Sequence, residues 1–155
     1  MALVPVAEGI QTLGVAHAVG LMAVREPHDL IWVVNASSND GSLIQPTDVT
    51  AREDDGFPYK YVNLAELAVT QEKRLFTAER MLDKVVDRTQ SNARFIVSVD
   101  SIVSNTHPIT LCRMVDVVIL CVVLGKTTFR AVKRTVEIIG REKVLGSIIL
   151  RPSSS

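Results

Sequence analysis

The sequence predicts an α/β protein: a parallel sheet with helices on both faces. Three observations lead there. Apolar runs of strand length recur at 2–6, 30–35, 95–100, 117–123 and 144–150, without polar/apolar alternation. That is the pattern of strands buried on both faces, as parallel sheets bury theirs. Helix-like segments separate most of these runs, the alternation that builds a parallel sheet. Finally, 155 residues at 47% hydrophobic suffice for one core. The expected organisation is a single domain over 1–151, irregular at 36–74, with a tail at 152–155.

Ala2 to Val6 forms the first strand, and Pro5, lacking a donor, makes it short or places it near an edge. Thr12 to Arg25 reads as a helix. Its apolar residues, Leu13, Val15, Ala16, Val19, Leu21, Met22 and Val24, run nearly all the way round, which predicts burial on every side. His17 inside it reads as a core or interface histidine, because no His or Cys stands at i+4 to share a metal. Pro27 ends the helix, and Leu30 to Asn35 is the second strand. Asn35 closes it, at the strand end where open α/β sheets hold ligands.

Residues 36–61 are the least regular, with Ser37 to Gly41, Pro46, Arg52 to Gly56 and Pro58 in succession. A connection this long is uncommon in a compact domain and is either functional or mobile. Tyr59 to Tyr61 reads as a short strand or a surface patch. Leu64 to Ala68 reads as a helical turn. Thr77 to Gln90 is amphipathic. Thr77 suits the cap and Glu79 the positive first turn, while Met81, Leu82, Val85 and Val86 make one stripe. Phe95 to Asp100 is a buried strand ending in an acid. Pro108 starts a short helix through Met114. Val117 to Val123 is the central strand, and Gly125-Lys126-Thr127 turns the chain. The helix over 128–139 carries Phe129, Val132, Val136 and Ile139 on one face, and Gly140 stops it. Val144 to Leu150 is the last strand.

Charge and composition narrow the function. Lys+Arg and Asp+Glu are equal at 17 each, so no basic excess points to nucleic acid. Cys112 and Cys121 have a spacing that fits no zinc or redox motif and read as buried reduced thiols. The apolar start lacks a Lys or Arg before Arg25 and is interrupted by Glu8, unlike a secretory signal. The run Val117 to Leu124 is too short to span a bilayer. The expectation is a cytoplasmic protein, held at the inner membrane, if at all, through a partner. No Gly-x-Ser-x-Gly elbow exists, and neither His28 nor His107 has a nucleophile beside it, so a Ser-His-Asp hydrolase is excluded.

The informative stretch is Glu8-Gly9-Ile10-Gln11-Thr12, between the first strand and the first helix. Strand, tight turn, helix is the layout of a phosphate-binding loop, where glycines let backbone N–H groups approach phosphate. A Lys then pairs with the phosphates, and a Ser or Thr hydroxyl binds Mg²⁺. In a parallel sheet, the ends of the strands would gather this loop with Asn35, Asp100, Lys126 and Arg151 on one rim.

Together these residues resemble the site of P-loop ATPases of the deviant-Walker type, most of all the bacterial tyrosine kinases of polysaccharide export. Glu8 to Thr12 with an Ala-rich helix resembles their nucleotide loop, and Val33-Val34-Asn35-Ala36 their second acidic strand end. Leu75 to Arg88 followed by Phe95 to Ile102 resembles the approach to their Walker B acid. Asp116 to Leu120, Gly125-Lys126-Thr127 and Val144 to Leu150 resemble the closing strands. The resemblance implies a P-loop-type fold reduced in size, with nucleotide contacts at Gly9, Ile10, Gln11, Thr12, Asn35, Asp100, Lys126 and Arg151, and Mg²⁺ at Thr12 and Asp100.

The departures fall on the chemistry. Gln11 stands where the family has Lys, Asn35 where it has Asp, and Arg151 where it has Asn. Serines replace the tyrosine-rich tail. Phosphoryl transfer depends almost wholly on electrostatic positioning, so the expectation is a pseudo-kinase with no catalytic residues and no resident cofactor. Its partner would be the cytoplasmic part of a membrane polysaccharide co-polymerase, or further copies of itself. The alternative is an ATPase switch that binds Mg-ATP or Mg-ADP, with Lys126 supplying the missing charge.

Overall fold

The computed structural model describes residues 1–10, 12–24, 30–37, 59–64, 86, 92–103 and 106–151. Six strands form one sheet: β1 (Ala2–Pro5), β2 (Ile31–Asn35), β3 (Lys60–Asn63), β4 (Arg94–Ser98), β5 (Val118–Val123) and β6 (Val144–Leu150). Their order is β3-β2-β4-β1-β5-β6, and all are parallel. The helices described are α1 (Leu13–Ala23), α2 (His107–Met114) and α3 (Phe129–Ile139), with a 3-10 turn over Arg141–Lys143. This is the α/β parallel-sheet class expected from the sequence. Of the Tyr59–Tyr61 segment, Lys60 and Tyr61 belong to strand β3; Leu64 is helical, and the rest of the turn expected over 64–68 lies outside the described residues. Of the amphipathic helix expected over 77–90, Val86 is helical and the rest lies outside the described residues.

The chain divides into two compact units, Leu13–Ser98 and Met1–Thr12 with Val99–Ser155. In the Leu13–Ser98 unit, β2 runs between β3 and β4, with Trp32 opposite both Lys60 and Phe95. The Trp32 and Phe95 rings stack with centroids 6.3 Å apart. The Lys60 ammonium lies 5.5 Å from the Trp32 centroid, within the range of cation–π attraction. Ile31, Val33, Val34, Ile96 and Val97 are buried.

Helix α1 packs on β2 and β4, and Gly20 sets how closely it lies. A Cβ at Gly20 would stand 2.8 Å from Val33 Cγ2. The expectation that α1 is buried all round is corrected here. Ala16 and Gly20 are buried, but Leu21 is 45% and Met22 81% exposed. Only the side carrying small residues meets the sheet, so apolar residues on the far side face outward.

In the other unit, β1 lies fully buried and pairs with β5 along its whole length, Leu3 opposite Ile119. Of the two readings of Pro5, the short strand holds. β1 is central, and Pro5 is its last residue. Val6 N–H then donates to the Cys121 carbonyl at 3.1 Å. Pro108 opens α2 as expected. The far end of α2 is closed by Lys143, whose ammonium donates to the Arg113 and Val115 carbonyls. Carbonyls left over at a helix end take a cation well. Cys112 and Cys121 are buried free thiols, and burial pushes both pKa values up to about 11.

Thr128 caps α3, its hydroxyl accepting from Ala131 N–H at 3.2 Å. Gly140 ends the helix at φ 99°, a conformation that suits glycine. One expectation fails in this region, and one exposed side chain stands out. Phe129 shares a helix face with Val132, Val136 and Ile139 as expected, and the sequence makes no claim about its burial; it is 83% exposed. It is the first helical residue after the β5 turn, so it sits at the rim, before the helix runs back along the sheet. The last strand, read as buried, is the edge strand β6, with Leu145 70% and Ile149 63% exposed.

Candidate functional site

In the unit containing β1, the expected site residues stand at the C-terminal ends of parallel strands. The loop after β1 exposes Glu8 and Gly9, and Gly9 adopts φ 72°. That left-handed turn is a conformation glycine adopts without strain. Ile10 is half-buried, and Gln11 lies outside the described residues. Thr12 is buried directly before α1, and its hydroxyl donates to the Val99 carbonyl at 3.2 Å. This hydroxyl is therefore turned to the backbone leading out of β4. Asp100 follows Val99 and is half-buried; Ser101 beside it is buried, its hydroxyl accepting from Val103 N–H at 3.4 Å.

The turn after β5 is closed from three directions. Lys126 and Thr127 N–H both donate to the Val123 carbonyl, at 3.1 and 2.9 Å. The Thr127 hydroxyl accepts from Val123 N–H at 2.9 Å. With Gly125 at φ 77°, these bonds fix the turn and leave the Lys126 side chain exposed. Leu124 N–H donates to the Leu150 carbonyl at 2.9 Å, which holds the end of β6 beside this turn. Arg151 follows, exposed. Thus Gly9, Ile10, Thr12, Asp100, Lys126 and Arg151 all belong to strand ends of one unit.

Asn35 belongs to the other unit, at the end of β2. It is 1% exposed, and its Oδ1 accepts from Ser37 N–H at 3.1 Å. The side chain thus bonds to the backbone two residues on, as Asn commonly does in turns. Ala36 N–H donates to the Ser98 carbonyl at 2.8 Å.

Two features of the Leu13–Ser98 unit were not foreseen as contacts. His17 Nδ1 and Tyr59 Oη are 2.6 Å apart, a hydrogen bond in which the phenol donates when the ring proton sits on Nε2. The His17 ring also lies 5.2 Å from that of Tyr61. Burial lowers the pKa of His17 and raises that of Tyr59, so both stay neutral near pH 7. Sequence spacing could not have joined positions 17 and 59. The core-or-interface expectation for His17 is consistent with this setting.

Among the described residues, no group of three His, Cys, Asp or Glu side chains could hold a metal ion.

Comparison with known proteins bears on the fold. No protein-family model and no curated protein sequence matches this chain. Solved structures do. The kinase domain of Escherichia coli tyrosine kinase ETK superposes with a TM-score of 0.66 at 10% identity, covering 99% of this chain and 68% of that one. The BceF tyrosine kinase domain gives 0.60 at 11% identity, with the same coverage. The chain has the fold of a bacterial tyrosine kinase domain. At such identities the likeness establishes the fold. No helix among the described residues is long and apolar enough to cross a membrane.

Proposed function

We propose that this chain is a non-catalytic relative of the bacterial tyrosine kinases of polysaccharide export, keeping their fold and working by contact. The observation that carries the reading is Gln11, in the position where the resemblance puts the phosphate-binding Lys, on a kinase-domain fold. Asn35 in place of a carboxylate and the Thr12 hydroxyl turned to Val99 support it. Losing one charged contact to a bound phosphate typically costs a few kcal/mol. Losing the Lys and the Asp together removes most of the electrostatic positioning that phosphoryl transfer needs. The partner on this reading is the cytoplasmic part of a membrane polysaccharide co-polymerase, or another copy of the chain, and the protein works in the cytoplasm. It acts there as a regulatory or scaffolding subunit.

Lys126 favours a second reading. It is exposed at the β5 strand end, in the same unit as the Glu8–Thr12 loop. From there it could supply the missing charge, making the chain a switch that binds Mg-ATP or Mg-ADP.

Calorimetric titration with Mg-ATP and Mg-ADP, on the wild type and on Gln11→Lys, separates the two. Silence in the wild type with binding gained in Gln11→Lys is the expected result, a preserved cradle without its charge. Wild-type binding that is lost in Lys126→Ala would establish the switch. ATP hydrolysis or autophosphorylation by the wild type would refute the non-catalytic reading.

A further inference from the structure

The turn after β5 and the first half of α3 form a surface with an unusual charge and shape. Between Leu124 and Val136 there are four cations, Lys126, Arg130, Lys133 and Arg134, and no Asp or Glu. All four are exposed. This clustering stands out in a chain whose positive and negative charges balance at 17 each. The first acid beyond the stretch is Glu137, paired with Lys133 at 3.9 Å. Arg151 adds a further cation beside the turn, through the Leu124–Leu150 hydrogen bond. Across the rim, Glu8 is the exposed acid.

Arg130 does not serve the helix. Helix N-termini are electropositive, so Arg130 in the first turn of α3, with no acid there to offset it, weakens the helix slightly. Among these cations stand two large apolar side chains, Phe129 at 83% and Leu124 at 57% exposure. Helical spacing puts Phe129 and Lys133 on one line and Arg130 and Arg134 on the next. A protruding ring and a protruding leucine, backed by lysines and arginines, match the requirements of an anionic bilayer surface. The apolar tips enter the headgroup layer, and the cations meet lipid phosphates.

We infer that this face, Leu124 to Arg134, docks the chain directly on membranes rich in anionic lipid. The charge complementarity selects an anionic partner. The protruding Phe129 and Leu124 select a bilayer, which accepts convex apolar tips anywhere on its surface, whereas an acidic protein would need a matching hollow. This docking does not depend on nucleotide binding, and it would act beside any protein partner.

The test is flotation of the purified full chain with vesicles of phosphatidylcholine alone, and of phosphatidylcholine mixed with phosphatidylglycerol. Binding is expected only to the mixed vesicles and is expected to fall as salt rises. Arg130→Gln and Arg134→Gln should each weaken it roughly fivefold, and Phe129→Ser roughly tenfold. These side chains are exposed, so circular dichroism should report unchanged folding. Equal binding to both vesicle types, or no binding to either, would overturn the inference. So would anionic binding that is indifferent to Phe129→Ser but competed away by polyglutamate, since that outcome points to an acidic polypeptide as the occupant.

Discussion

Gly20→Ala tests the seating of α1 on the sheet. In an exposed helix interior this change would stabilise by about 1 kcal/mol, since glycine loses more backbone entropy on folding. Here the new Cβ would stand 2.8 Å from Val33 Cγ2, and 3.4 Å from Tyr59 Cδ1. The first distance is a clash and the second an ordinary contact. Val33 cannot easily give way: it is β-branched and fully buried on β2. Overpacking of this kind costs about 1–3 kcal/mol. The two effects oppose, and the net expectation is a loss of up to about 2 kcal/mol. The stronger form of the prediction is a double-mutant cycle. Val33→Ala alone should cost about 2–3 kcal/mol through lost burial and a cavity. In Gly20→Ala/Val33→Ala the added methyl enters the vacated space, so the double mutant should be more stable than additivity predicts by about 1 kcal/mol or more. Urea unfolding followed by far-UV circular dichroism measures all four species. A Gly20→Ala protein more stable than wild type, together with an additive cycle, would refute the close-approach account.

Two further perturbations follow from buried polar groups. Thr135 on α3 is fully buried, and among the described residues its hydroxyl finds no hydrogen-bond partner. Thr135→Val keeps the shape and removes the stranded oxygen, so stability in urea should rise by about 1 kcal/mol or more; a loss would mean the hydroxyl is satisfied in solution. His17 has a folded pKa held by burial below its usual 6.5. Between those two values the unfolded chain binds more protons than the folded one. The stability from neutral His17 is therefore present above the usual value and is lost as pH falls through the folded one. The urea midpoint should drop on going from about pH 7.5 to about pH 5.5, and His17→Gln should flatten part of that drop. An unchanged slope in His17→Gln would show that His17 is not the group responsible.

Much of the fold was legible because parallel strands announce themselves. Leu30 to Asn35, Phe95 to Asp100 and Val117 to Val123 are apolar on both faces, and each proved to be a strand of the sheet. The caps at Thr128 and Gly140 and the helix start at Pro108 followed from backbone chemistry that is local to a few residues. Burial was harder to read, because hydrophobicity reports what a segment could bury and not what covers it. Met22, Phe129, Leu145 and Ile149 are as apolar as their buried neighbours. They are exposed because one is on the far side of a helix, one is at a rim and two are on an edge strand. The strand ends could be placed from the alternation alone, which is why Asp100, Lys126 and Arg151 were found at them. Partners far apart in sequence could not be found that way. Nothing local joins His17 to Tyr59, Lys143 to the end of α2, or Thr12 to the Val99 carbonyl.

The position of β1 also constrains how the chain comes into being. Strand β1 pairs with β5, and the unit it belongs to is completed only by residues from Val99 onward. The whole Leu13–Ser98 unit is synthesised in between. Until β5 emerges, the apolar stretch from Ala2 to Val6 has no partner strand from its own unit. Such long-range closure makes folding slow, and a nascent chain in that interval is the form most in need of a chaperone.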